Sequence, residues 1–243
     1  MMTERTASRI AENYDRFRQE VGTACARSGR VASDVKLVAV TKYAELAWVR
    51  ALAALGVVDL GESRPQQLCE RSEQLAGPQL VRWHLIGHLQ RNKVRRVLPA
   101  VTLIHSVDSL RLIERIDAMS QELGLRPRVL LEVNLAGETA KHGFSAEALR
   151  AAWEQILDYQ AVQVEGLMTM APKVDRPDEA RSVFRRLREL RDALADRAHG
   201  DVPLAELSMG MSGDFATAIE EGATLVRIGS RLFEGLPHGG DGV

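Results

Sequence analysis

Residues 36–45 read KLVAVTKYAE, and the reading of this stretch decides the fold. Leu37-Val38-Ala39-Val40 is a continuous apolar run of the kind a parallel strand needs when both of its faces are covered. An open dinucleotide-binding sheet would follow an early strand with GxGxxG, whereas this run leads into TKYAE. Working outward, comparable short runs recur between stretches of helical period. The expected strands are 36–42, 57–62, 81–87, 102–107, 128–134, 163–170, 206–209 and 224–229. Eight such units, with the chain stopping just after the eighth strand and a short helix, point to an α/β chain built as a single closed (β/α)8 barrel (a TIM barrel).

The intervening segments carry one apolar stripe each. Val183, Phe184, Leu187, Leu190 and Leu194 trace such a stripe, as do Leu110, Ile113 and Ile116 behind Ser109, a candidate helix cap. Ile10, Tyr14, Phe17, Val21 and Ala24 predict an extra N-terminal helix ended by Gly29. The domain is expected to span residues 1–235, with a disordered tail over 236–243.

Composition removes several classes of function. Of the 243 residues, 32 are Lys or Arg and 33 are Asp or Glu, a balance that recommends neither nucleic acid nor a membrane surface as partner. No signal core or membrane-length apolar run is present, so the expected location is the cytoplasm. Cys25 and Cys69 lack metal or CxxC spacing and read as free thiols. The six histidines show no HExxH or paired-ligand spacing, and no metal is expected.

In this fold, ligands bind at the C-terminal ends of the strands. Those ends present Lys42, Glu62, His84, His105, Asn134, Met170, Ser208 and Arg227. A lysine, an arginine and two Ser/Gly-rich turns are the parts that would hold an anionic, phosphate-bearing aldehyde. SMGMSGD (208–214) opens a helix, with Ser212 as its candidate N-cap and with Gly210 and Gly213 allowing close backbone approach to an anion. Gly229 and Ser230 add donors after the last strand. By spacing alone, an ordinary capped helix and turn fit equally well. Lys42 is expected to point into the mouth, desolvated and near cationic groups, which favours the neutral amine that attacks an aldehyde. Tyr43 should alternate to the other side. Arg227, a permanent donor, would leave a pyridine nitrogen unprotonated and so restrain carbanion chemistry. His84 is a candidate ligand contact, and His105 reads as a core histidine.

Several motifs together resemble one family. They are LVAVTK ending at Lys42, LGESRPQ from Leu60, WHLIGHLQRNK from Trp83, HSVDS from His105 and EVNLAGETAKHGF from Glu132. GLMTMAP from Gly166, LSMGMSGDFATAIEEGAT from Leu207 and VRIGSRLFEG from Val226 complete the set. From Val35 to Phe233 the chain resembles the pyridoxal phosphate homeostasis proteins (the YggS/PROSC family), which share the fold type III barrel of alanine racemases. The resemblance implies pyridoxal 5′-phosphate (PLP) held as an internal aldimine on Lys42. It implies phosphate contacts from Ser208, Met211, Ser212, Gly229 and Ser230, with Arg227 at the pyridine nitrogen. Ser63, His84, Asn134 and Met170 complete the expected cofactor-binding set, and no catalytic residue is assigned.

The implied role is a carrier or buffer of PLP in vitamin B6 homeostasis with little or no turnover. Apo-PLP enzymes are the further partners, and the implied state is a monomer. The alternative is a PLP-dependent racemase or related enzyme, which needs an acid/base on each substrate face. Two positions depart from the family pattern. Thr41-Lys42-Tyr43-Ala44-Glu45 stands where SKTKP is usual, so a second lysine and a proline are missing. Ser63 replaces an asparagine in GEN. Lys141 matches a family lysine.

Overall fold

A computed structural model of the chain describes residues 4–75, 81–135, 142–172, 176–198 and 202–236. All eight expected strands are present: β1 (Lys36–Val40), β2 (Asp59–Glu62), β3 (Arg82–Leu85), β4 (Leu103–Val107), β5 (Arg128–Glu132), β6 (Gln163–Met168), β7 (Glu206–Ser208) and β8 (Leu225–Ile228). Every neighbouring pair is parallel, and β8 returns to β1 with Leu37 opposite Val226, closing the barrel. Most strands are shorter than the apolar runs suggest, because the ladder gives way to loops at the mouth. Thr41 N–H still reaches Gly61 O, but the chain then turns.

Around the barrel lie α1 (Glu4–Arg27), α2 (Leu46–Ala54), α3 (Pro65–Gln74), the single turn α4 (Val94–Val97), α5 (Leu110–Leu123), α6 (Ala146–Leu157), α7 (Arg181–Ala195) and α8 (Phe215–Glu220). The α7 stripe is buried as its spacing requires; each such side chain contributes about 1.5–3 kcal/mol on burial. Ser109 sits at the N-cap position of α5, but its hydroxyl donates to Asp108 instead of capping the helix. Ser145 does cap α6, through Ala148 N–H. At the end of α1, Gly29 takes the left-handed conformation and Arg30 N–H reaches back to Cys25 O.

The first residue of the expected tail packs against the barrel's N-terminal helix region. Leu236 is buried, and the Asn13 side chain on α1 donates to the carbonyls of Leu232 and Glu234. Residues 237–243 lie outside the described residues. Cys25 and Cys69 are free and buried, and burial raises both thiols above their ordinary range. Among the described residues, no helix is long and apolar enough to cross a membrane.

The interior is layered, which places the site at one end. At the strand starts, Lys36–Glu206 (2.7 Å), Arg82–Asp59 (2.5 Å) and Arg128–Glu165 form an ionic floor. Above it Val38, Leu103, Leu130, Met168 and Leu225, with Ile86 against them, form an apolar plug. The rest of the core lies between strands and helices. Gly166 permits the close β6–β7 approach, since a Cβ there would stand 1.8 Å from Glu206 O.

Candidate functional site

The strand ends open onto the opposite face, where Lys42 sits. Val38 belongs to the interior plug, so strand period two aims Val40 and then position 42 toward the barrel axis. The ladder stops first. Ala44 N–H bonds to Thr41 O, and this turn lifts Lys42 to the rim. Lys42 is therefore solvent-exposed, not desolvated as expected, and its Nζ lies 4.9 Å from the centroid of the Tyr43 ring. Tyr43 is itself 78% exposed and does not alternate across a strand.

The turn under Lys42 is held from below. Thr41 is fully buried, and its hydroxyl donates to Glu62 Oε1 (2.6 Å). Arg71 on α3 donates to the same carboxylate oxygen (2.7 Å) and to the carbonyls of Thr41 (2.7 Å) and Ala44 (2.6 Å). Gln67 adds a bond to Lys42 O. One guanidinium thus grips both ends of the turn that carries the lysine. Burial pushes the Glu62 carboxyl up, against the pull of Thr41, Arg71 and the Lys42 charge. Its second oxygen, Oε2, is buried with no hydrogen-bond partner among the described residues. The sequence signal for Arg71 was its place three residues after Leu68 on the buried side of α3.

A second set of residues crosses the barrel interior. Asp59 bonds to His84 Nε2 (2.9 Å), His84 Nδ1 to His105 Nε2 (2.9 Å), and His105 Nδ1 to Ser208 Oγ (2.8 Å). Arg227 Nη1 then donates to Ser208 Oγ (2.6 Å) and Nη2 to Thr169 O (2.9 Å). Both ring nitrogens of His84, an expected ligand contact, are bonded within the interior. His105 is the satisfied core histidine its context suggests, and burial drives it well below its ordinary value, hence neutral. Ser208 Oγ likewise serves Arg227. Among the described residues, Arg227 is fixed through two of its five guanidinium donors. Burial lowers Arg227 to about 10, with Asp214 and Glu132 opposing, so it stays charged at neutral pH.

The turn after β7 is closed by its own groups. The N–H groups of Asp214 and Phe215 meet Met211 O, and Met211 N–H donates to Asp214 Oδ1 (2.6 Å). The N–H groups of Ser212 and Gly213 take no part in this closure. Asp214, not Ser212, is the N-cap residue of α8, and that helix has only six residues. Backbone N–H groups that this segment could offer an anion are therefore those of the turn, not of a long helix. Gly210 adopts φ +91°, and its carbonyl accepts from Arg227 N–H, joining this turn to β8. Gly229 and Ser230 begin the short 3-10 turn Ser230–Phe233.

Asp214 also puts a carboxylate beside this turn, and burial pushes it above its ordinary value against the Met211 N–H and the Arg227 charge. A raised folded pKa contributes stability below the unfolded value near 3.8 that is lost as pH rises through the folded value. Asp214→Asn keeps an acceptor for Met211 N–H and removes that loss. We expect the variant to gain melting temperature over the wild type at neutral pH, with the gain vanishing in acid. A gain equal at both pH values would contradict the assignment.

The remaining predicted residues also follow strand ends. Ser63, after β2, is half-buried under Gly87, where a Cβ would stand 2.2 Å from Ser63 O. Asn134 follows β5, with its N–H on Phe144 O. Met170 and Met211 are 38% and 37% exposed at the rim. Lys141 lies outside the described residues.

Comparison with known proteins agrees with this architecture. The family described as "Alanine racemase, N-terminal domain" matches residues 7–237. A pyridoxal phosphate homeostasis protein of Aquifex aeolicus is 40% identical over 91% of this chain and 96% of its own length. One from Pseudomonas aeruginosa is 37% identical over 96% and 98%. The structure of PipY from Synechococcus elongatus PCC7942 with PLP bound is 36% identical, covers 92% of this chain and 99% of its own, and superposes with a TM-score of 0.82. An alanine racemase of Clostridium difficile, only 16% identical, shares the fold over 57% of its length at a TM-score of 0.73. The matched family spans nearly the whole chain, and these relatives cover more than nine-tenths of it: this chain belongs to the alanine racemase N-terminal domain family, among its pyridoxal phosphate homeostasis proteins.

Proposed function

We propose that the chain binds PLP at the barrel mouth, covalently through Lys42, and holds it as a carrier or buffer in vitamin B6 homeostasis. The observation that carries this reading is the pairing, on one barrel face, of a rim lysine on a clamped turn with a buried, fixed arginine. Relatives named for PLP homeostasis, and PipY with PLP bound, support the choice of ligand.

The residues present fit that group. The aldehyde supplies a carbon that condenses with an amine and releases water. Lys42 offers the amine at the solvent-open rim, where loading and release need no lid. Arg227 keeps three donors for a ring nitrogen, and because it stays protonated it neither takes nor gives a proton at neutral pH. Ser212, Gly213, Gly229 and Ser230 offer N–H groups to the phosphate. Ser63, Asn134, Met170 and Met211 edge the same mouth. Ser208 and His84 act one step back, by holding Arg227. Nothing in this set supplies an acid/base pair flanking a substrate, which favours storage over turnover. The proposed recipients are apo-PLP enzymes, with the protein acting as a monomer in the cytoplasm.

The test is to purify the protein, extract its ligand by denaturation, and then offer single L-amino acids to the loaded protein. We expect stoichiometric PLP and no D-enantiomer beyond one turnover. Absence of PLP after incubation with excess PLP would overturn the binding reading. Multiple-turnover racemisation would overturn the carrier reading alone.

A further inference from the structure

Three loops on the β3–β5 side of the mouth bring together side chains that the PLP reading does not use. His88 lies three residues beyond β3, Asp108 directly follows β4, and His142 precedes the return of the chain into α6. His88 Nδ1 stands 3.0 Å from Asp108 Oδ2, and His142 Nδ1 stands 3.6 Å from the same oxygen. The two imidazoles stack at 4.1 Å with 15° between their planes. The three donor atoms all lie within 4.8 Å of one another. We propose that His88, Asp108 and His142 form a binding site for a borderline divalent cation of the zinc class.

The donor chemistry selects that class, since two imidazoles and one carboxylate suit zinc better than calcium or magnesium. Bonds of about 2.0–2.2 Å in a tetrahedron set donor–donor spacings near 3.3 Å, between the 3.0 and 3.6 Å observed. Rotations of the two exposed histidines toward the largely buried Asp108 carboxylate therefore close the site.

The backbone beneath is already fixed. Asp108 Oδ1 accepts from Ser109 Oγ (2.9 Å), which turns Oδ2 toward the histidines. Close to His142, Phe144 is pinned to β5 by its N–H on Glu132 O and by its carbonyl, which accepts from Asn134 N–H. The Ser109–Asp108 bond is also why Ser109 does not cap α5. Three protein donors leave a fourth position open, and two of them, His88 and Asp108, line a cleft of about 550 Å³ together with Arg91 and Arg111. That position suits water or a small anionic group. Sequence spacing could not show this site, because its donors come from three different strand ends.

The test is zinc titration of the full-length, chelator-stripped protein against a metal-indicator dye, alongside His88→Ala and His142→Ala. We expect one zinc per wild-type chain and an affinity loss of at least about 10–100-fold in each variant, the loss that even outer-shell partners produce. Both substituted histidines are exposed, so unchanged far-UV circular dichroism should accompany the loss. Wild-type protein that takes up no zinc, or variants that bind as tightly as wild type, would overturn the proposal. The outcome is independent of PLP, since neither substitution touches Lys42 or Arg227.

Discussion

Exchanging Arg71 for methionine is expected to lower folding stability by about 3–5 kcal/mol, the cost of leaving one member of a buried ion pair alone. Glu62 is fully buried, and Arg71 is the one cation bonded to its carboxylate among the described residues. The same substitution frees the carbonyls of Thr41 and Ala44, so the Lys42 turn loses both of its bonds to the guanidinium and keeps the Gln67 and Thr41 contacts. Two readouts should therefore move together: the urea midpoint falls, and PLP retention drops. Adding Glu62→Gln to Arg71→Met removes the stranded charge and should recover part of the stability. It should not recover ligand retention, because the carbonyls stay unanchored. A double variant that regains both would mean that Arg71 acts only through Glu62.

Much of this architecture can be read from residues 36–45 and their seven counterparts, because a covered parallel strand demands an uninterrupted apolar run. The α7 stripe and the helix over Ile10–Ala24 are legible for the same reason: periodicity records which face is buried. What periodicity does not record is where a ladder stops. Lys42 shows the consequence. Its parity points inward, yet the turn at Thr41 lifts it into solvent, so the expected desolvation is absent. Side-chain partners chosen across the barrel are also hidden. Nothing in the sequence shows that Asp59 and His105 bond the two nitrogens of His84, and Ser212 reads as a cap until Asp214 takes that position. Arg71 and Glu62 are nine residues apart, but only the packing of α3 against the β1 turn shows that they hold the lysine.

Lys42→Ala is expected to abolish covalent PLP while leaving the fold intact. The clamp acts on backbone carbonyls and on Thr41, none of which the substitution removes. The thermal midpoint of ligand-free protein should therefore match the wild type. Only the stabilisation that bound ligand adds by mass action should vanish. Lys42→Arg keeps a cation at the rim but cannot condense with the aldehyde, so it separates charge from covalency. It should retain at most weak, dialysable PLP.

The central claim is the bond to Lys42, and borohydride reduction of the PLP-loaded protein followed by peptide mass mapping tests it most directly. The account predicts a single phosphopyridoxyl adduct on the peptide containing Lys42. An adduct on another lysine such as Lys36 or Lys93, or no adduct on protein that still holds PLP, would contradict it.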